Sequence, residues 1–275
     1  MVAETGGFTQ TAERLGRTQP AISQQIKKLE ELIGQPLFRR EGQRAELTSA
    51  GRDLLIYARQ ILTLNDQVVG HFDNPGVSGR LRFGIPSEFA VSLLPKIVSR
   101  FASAYPNVLL EVFSDLSRNL VAEGQQNKYD LILALQDRPT PTNPEHIKTD
   151  ELVWVTSARS LPLSEEKIPL IAAPDGCIYR QRALRKLGQN KKSWRIVYTN
   201  PDLTGIKAAI EEGMGVTVLA RSTVPENLSI IESSLHLPKL GFIGISLKQI
   251  NKAPGSAEKV LAEYVKAGLT DEVRF

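Results

Sequence analysis

Apolar residues in the first seventy positions recur at helical spacing, and the pattern breaks where a helix has to stop. Phe8, Ala12 and Leu15 stand four and three residues apart, which places them on one helix face. Ala12 is small where two helices would touch. Gly16 follows, and glycine accepts the positive φ of a sharp helix end. Thr18 then predicts an N-cap, with Pro20 in the first turn of a second helix. Ile22, Ile26, Leu29 and Ile33 continue at four, three and four, so this helix is expected to bury one face. Gln19, Ser23, Gln24, Lys27 and Lys28 fall on the opposite face. Residues 35–48 read as a two-stranded wing, with Leu37 and Phe38 as apolar anchors and Glu41-Gly42-Gln43 as its turn. Thr48 caps a third helix, from about Ser49 to about Phe72. Leu54, Ala58, Ile61, Asn65, Val68 and Phe72 form a heptad-like stripe along it, with Leu55, Leu62 and Val69 alongside. A second copy of the chain is the simplest cover for such a stripe. Asn65 either sets register inside the seam or lies at its edge.

Asn74-Pro75-Gly76 ends that helix, and residues 74–80, NPGVSGR, read as a hinge and domain boundary. Beyond it, strands are expected near 81–85, 108–113, 130–135, 152–157, 168–172, 194–198, 215–220 and 241–247. Helices are expected near 89–104, 116–126, 177–188, 203–213 and 255–267. Alternation of this kind predicts parallel sheets covered by helices. Two lobes follow, about 80–153 plus 249–275 and about 158–242, with the chain crossing near 154–157 and 243–248. The fold class is α + α/β: a winged helix-turn-helix over 1–48, a long linker helix over 49–73, and a two-lobed α/β domain over 80–275.

The polar face of the second helix has the chemistry of a recognition helix: amides and hydroxyls for base edges, lysines for phosphates. Arg39, Arg40 and Arg44 flank the wing turn, where a winged helix meets the DNA backbone. Amphipathic helix pairs with a glycine turn also occur in proteins that bind nothing, and the arginines also suit a solvated hairpin. Charge sharpens the picture. The 275-residue chain is 41% hydrophobic and 23% charged, with a net charge of +4 and a pI near 9.1. Residues 14–44 carry seven Lys/Arg against three Glu, although residues 1–79 balance at nine and nine. The basic charge is therefore focused on the reading surface.

In the two-lobed part, strand ends are the expected place for a ligand. The first strand runs into Pro86-Ser87-Glu88 before a helix, where Ser87 either offers a hydroxyl and helix amides to an anion or merely caps the helix. Ser117 opens the next helix likewise. Leu135-Gln136 and Thr199-Asn200 end two further strands. Gly213-Met214-Gly215 reads as a helix stop and turn rather than a phosphate cradle. Cys177 lies near Arg180 and Arg182, which could lower its pKa and make it a redox sensor. The other reading is a reduced structural thiol, since the chain has no second cysteine to resolve a sulfenic acid. One Cys and three scattered His exclude a disulfide framework and a Cys/His zinc site; no cofactor is expected. There is no signal-peptide pattern and no membrane-length apolar run, so the cytoplasm is the expected compartment and no membrane partner is expected. No nucleophile–base constellation points to an enzyme.

Taken in order, the segment AETGGFTQTAERLGRTQPAISQQIKKLEELIGQPLFRREGQRAELTSAG resembles the N-terminal winged helix-turn-helix of LysR-type transcriptional regulators. Residues 80–275 resemble that family's periplasmic-binding-protein-like effector domain, so the likeness covers nearly the whole chain. It implies that Gln19, Pro20, Ser23, Gln24 and Lys27 face the groove of double-stranded operator DNA. Thr18, Arg39, Arg40, Arg44 and Thr48 would approach phosphates. Pro86, Ser87, Leu135, Thr199 and Asn200 would line the cleft for a small-molecule effector. The resemblance also implies homodimers through the linker helix that pair into tetramers. The family has about ten more residues ahead of Val2, forming most of a first helix. The expectation is that the natural start lies upstream or that DNA binding is weakened, leaving a small-molecule binding protein as the alternative to a regulator.

Overall fold

In the computed structural model, residues 1–41, 44–73, 76–157, 167–232 and 237–270 are described. The chain forms two compact units, Met1–Pro75 and Gly76–Thr270.

The first unit runs α1 (Val2–Thr5), α2 (Phe8–Arg14), α3 (Gln19–Ile33), β1 (Phe38–Glu41), β2 (Arg44–Leu47) and α4 (Ser49–Asp73). Gly16 ends α2 at φ 58°, as the turn requires. Val2, Ala12 and Ile22 are buried together, with Phe8, Leu15, Ile26, Phe38 and Ala45 packed around them. Val2 thus supplies part of the cover that Ile22 needs. The buried face of α3 is shorter than the spacing predicts: Leu29 is 36% and Ile33 37% exposed. The seven residues of α2 span about 10 Å and α3 has fifteen, so α2 covers only its first turns. Thr18 holds the N-cap position of α3, but its hydroxyl makes no cap bond.

The wing is an antiparallel pair in which Phe38 faces Leu47 and Glu41 faces Arg44. Glu41 is a strand residue rather than a turn residue, and Gly42 and Gln43 lie outside the described residues. Glu30 fixes the approach to the wing by accepting from the Leu37 and Phe38 amides at 2.7 and 3.2 Å. The Ala45 amide donates to the Gly6 carbonyl at 2.8 Å, tying the wing to the first turn. Thr48 caps α4 as expected: its Oγ1 accepts from the Gly51 amide at 3.0 Å and donates to the Pro36 carbonyl at 2.7 Å. Thr48→Val removes both bonds and is expected to lower the stability of this unit by about 1–2 kcal/mol, read from its urea unfolding midpoint. Along α4, Ile61 and Phe72 are 67% and 76% exposed, and Ile56, Leu62 and Val68 are exposed with them. Asn65 is exposed beside them.

The second unit begins with β3 (Gly79–Ile85), α5 (Ser87–Ser92), α6 (Leu94–Ala104), β4 (Val108–Ser114), α7 (Ser117–Leu120), β5 (Leu131–Gln136) and β6 (His146–Thr156). It continues with β7 (Ile168–Ala172), α8 (Ile178–Gln189), β8 (Trp194–Thr199), α9 (Leu203–Glu211), β9 (Thr217–Ala220), β10 (Ser229–Ile230), β11 (Phe242–Gln249) and α10 (Ser256–Thr270). The sheets are mixed, not parallel throughout. β3 runs parallel to β4 and β5, and β7 parallel to β8. β11 is antiparallel to both β5 and β6, while β9 and β10 are antiparallel to β6. Strand–helix alternation cannot announce this, because β11 returns to the first sheet after the whole second lobe. β6 passes from one sheet region to the other: Glu151 faces Phe242 on β11, and the next residue, Leu152, faces Ala220 on β9. It starts six residues before the expected 152, because its first half carries the polar sequence HIKTDE.

The helix expected over 89–104 is two helices. Pro95 has no N–H to donate to the carbonyl four residues before it and its ring crowds that turn, so α5 ends at Ser92 and α6 restarts with Pro95 in its first turn. The helix expected over 116–126 is only α7 followed by turns. α10 packs on the first lobe, with Tyr264 edge-on to Phe101 at 5.7 Å. Full burial of Phe83, Ile85, Phe89 and Phe101 contributes about 1.5–3 kcal/mol per side chain to this core.

Candidate functional site

Two surfaces carry the candidate chemistry. The first is the polar face of α3. Ile22 points into the small core, which turns Gln24, Lys27 and Pro20 outward, all exposed. Gln19 Nε2 donates to Ser23 Oγ at 2.7 Å, one turn apart on the same face. That bond orders two side chains before any base arrives. Lys27 stands 3.9 Å from Glu31, both mostly exposed, so the pairing is weak and the lysine stays available. On the wing, Arg39 pairs with Glu46 at 3.0 Å. Arg40 and Arg44 sit on the paired strands β1 and β2, and their side chains lie outside what is described.

The second surface is a recess inside the second unit, open on one side. Its walls come from both lobes: α5 and the ends of β5 and β6 on one side, the end of β7, the start of α8, α9 and β9 on the other. Ser87 on α5 donates to the Pro201 carbonyl at 3.3 Å, joining the two walls. Arg118 on α7 lays its guanidinium against Gly176, so closely that a β-carbon there would meet Cζ at 2.1 Å. Most of the lining is apolar, including Leu116, Leu135, Trp154, Ile171 and Ile206. Its polar members are Ser87, Glu88, Ser117, Cys177, Tyr179, Arg180 and Thr217. Burial raises the Glu88 carboxyl above its usual pKa. Burial, and then the nearby Glu88 charge, push Tyr179 well above its usual value.

These two features, a winged helix-turn-helix and a two-lobed domain with a walled recess, recur together in known proteins. Residues 1–52 match the model for the bacterial regulatory helix-turn-helix protein, lysR family, and residues 74–238 match the LysR substrate binding domain. The chain is a LysR-family protein. It is 30% identical over 270 residues to the HTH-type transcriptional regulator DgdR of Burkholderia cepacia, covering 98% of this chain and 91% of that one. It is 31% identical over 243 residues to PecT of Dickeya dadantii (strain 3937), covering 87% and 75%. Solved structures with the same fold include full-length BenM (TM-score 0.53, 20% identity, 98% and 94% covered). They also include Vibrio fischeri DarR in complex with DNA (TM-score 0.52, 20% identity, 96% and 94% covered).

This LysR-family chain is a DNA-binding transcriptional regulator with a ligand-binding domain, and not an enzyme. Its helix-turn-helix is present, so the reading as a binding protein without DNA contact is not favoured. Among the described residues no helix is long and apolar enough to cross a membrane.

Sequence reasoning located the recess only in part. Pro86, Ser87 and Leu135 line it. Thr199 and Asn200 do not: Thr199 ends β8 exposed, and Asn200 is turned to its own loop. Asn200 Nδ2 donates to the Tyr198 hydroxyl at 2.9 Å, and its Oδ1 accepts from the Asp202 amide at 2.8 Å. Pro201 and Leu203, just beyond, take the lining positions. Ser87 follows the N-cap, which is Pro86, so it does not cap α5, and its hydroxyl serves the lobe-to-lobe bond instead. Ser117 is buried and accepts from the Leu135 amide at 2.9 Å.

Cys177 is not an activated thiol. It is buried, and burial with the nearby Glu88 charge pushes it up to about 11. Of the arginines expected to lower it, Arg180 does so by less than burial raises it, and Arg182 reaches Asp137 and the Leu240 and Phe242 carbonyls instead. Glu88 and Tyr179 are the recess residues to which the sequence pattern gave no role. A glutamate just after a strand end was the one available signal.

Proposed function

We propose that α3 reads a specific operator in the DNA major groove and that a small molecule in the recess modulates that reading. Gln19, Pro20, Ser23, Gln24 and Lys27 face the bases. Thr18, Arg39, Arg40, Arg44 and Thr48 hold the backbone, Thr48 chiefly by positioning the wing. Residues 1–48 bind DNA, 49–73 link and dimerise, and 80–275 sense the effector. Within the sensor, about 80–153 with 249–275 forms one lobe and about 158–242 the other. The exposed apolar stripe of α4 pairs with a second copy, and two such dimers assemble on DNA in the cytoplasm. Pro86, Ser87, Leu135 and Pro201 contact the effector. A change in lobe angle then alters the spacing of paired recognition helices.

The observation that carries this reading is the exposed amide and lysine face of α3, set directly opposite the buried Ile22. Its test is equilibrium binding to the DNA upstream of the chain's own gene, titrated with salt. Gln24→Ala is expected to weaken selective binding about ten-fold and to relax sequence preference. Lys27→Ala is expected to weaken all DNA alike and to reduce the salt slope by about one. Absence of selective binding at low salt would overturn the operator assignment.

A further inference from the structure

The recess contains polar groups that a purely apolar ligand leaves unanswered. Tyr179 is 6% exposed and lines the recess. Its buried hydroxyl closes no hydrogen bond of good geometry among the described residues, and the Glu88 carboxyl is the polar group close enough to act on it. Glu88 enters from the other lobe on α5, and no ion pair to it occurs among the described residues. Arg180 lines the same recess; its terminal nitrogens are engaged, one 2.8 Å from Asp175 and the other donating to the Ala173 carbonyl at 3.1 Å, while its Nε is buried without a partner among the described residues. A carboxyl group and a hydroxyl therefore share a largely apolar chamber, and Arg180 in the same lining gives its terminal nitrogens to Asp175 and Ala173 rather than to Glu88.

Resting on the reading of this recess as the effector site, we infer that its ligand is a small molecule bearing a protonated amine, held by the Glu88 carboxylate and the Tyr179 hydroxyl. An ammonium group brings three donors and one positive charge. It neutralises Glu88 where water is scarce and donates to the phenolic oxygen, while an alkyl body fills the space beside Leu135, Trp154 and Ile206. A ligand carboxylate would instead meet the Glu88 charge at close range. A neutral ligand would leave that charge without a counter-ion. Burial already makes ionisation of Glu88 unfavourable in the free protein, and a cationic ligand relieves that burden on arrival.

The experiment is calorimetric titration of the full chain at neutral pH with isobutylamine, isobutyrate and isobutanol. Isobutylamine is expected to bind at least ten-fold more tightly than either of the others. Glu88→Gln, nearly the same shape, is expected to abolish that preference, and Tyr179→Phe to weaken isobutylamine several-fold. Equal or tighter binding of isobutyrate or isobutanol, no binding of isobutylamine, or an unchanged preference in Glu88→Gln would overturn the inference. Ala173→Phe, which fills the recess wall, separates this from failure of the site itself. Loss of isobutyrate binding in that variant would keep the recess as the ligand site while removing the amine. Isobutylamine binding that survives it would place the ligand elsewhere and overturn both.

Discussion

Replacing Gly51 with alanine is expected to abolish operator binding while leaving the second unit folded. Gly51 lies in the first turn of α4, where a β-carbon would stand 2.1 Å from the Leu37 carbonyl oxygen and 2.9 Å from a Leu47 methyl. The obstructing atom is backbone, and it cannot rotate away. Leu37 is 2% exposed, and its carbonyl already accepts from the Thr48 amide at 3.0 Å. The helix must therefore move off the wing, or the wing must lose its register with α3. Overpacking of this kind costs about 3 kcal/mol. A unit of this size with one small core has only about 3–5 kcal/mol of stability to lose. Separate unfolding probes for the two units would show the first transition shifted sharply or lost and the second unchanged. Full DNA affinity in Gly51→Ala would mean that the wing and α4 are not rigidly joined.

Arg182→Met is expected to produce the largest loss in the second unit, about 3 kcal/mol in urea unfolding at neutral pH. Arg182 is 5% exposed on α8. It donates to Asp137 just beyond the end of β5, and to the Leu240 and Phe242 carbonyls at 2.8 and 3.1 Å at the start of β11. Methionine fills the space but takes the donor away from both carbonyls and leaves Asp137 to Arg185. The loss should shrink in acid. Burial works against the Asp137 charge, but Arg185 and Arg182 outweigh it and hold the carboxyl below its usual pKa. A depressed carboxylate contributes stability at neutral pH, and that contribution fades as pH falls below about 4 and through the folded-state pKa. The wild-type and variant stability curves should therefore approach each other below pH 4. Tyr179 sits about one turn before Arg182 on α8, so ligand affinity should fall as well. An unchanged midpoint would show that Asp137 is held adequately by Arg185 alone.

The DNA-binding half was legible in sequence because its determinants are local. Ala12, Gly16, Pro20 and Ile22 stand within eleven positions, and each acts through a neighbour three to five residues away. The extent of burial along α3 was not legible, since it depends on how far the shorter α2 reaches. The recess was legible only as a set of strand ends. Leu135 and Ser87 followed from that rule, but Asn200 satisfied the same rule and turned to Tyr198 and Asp202 instead. Glu88 and Tyr179 come together from ninety-one positions apart, and Arg182 meets Asp137 from forty-five. No periodicity encodes such meetings. The direction of β11 was hidden for the same reason. Pro95 was in plain view, and its effect on the helix ending before it is the one local signal that the apolar periodicity overrode.

The continuity of β6 through both sheet regions bears on how the molecule can be cut. A chain that passes between lobes on loops offers a protease unpaired backbone at the waist. Here the passage occurs within hydrogen-bonded strand, with Glu151 against β11 and Leu152 already against β9. A protease therefore finds no unpaired backbone at this passage, and cutting there requires first unravelling the ladder that joins the two regions.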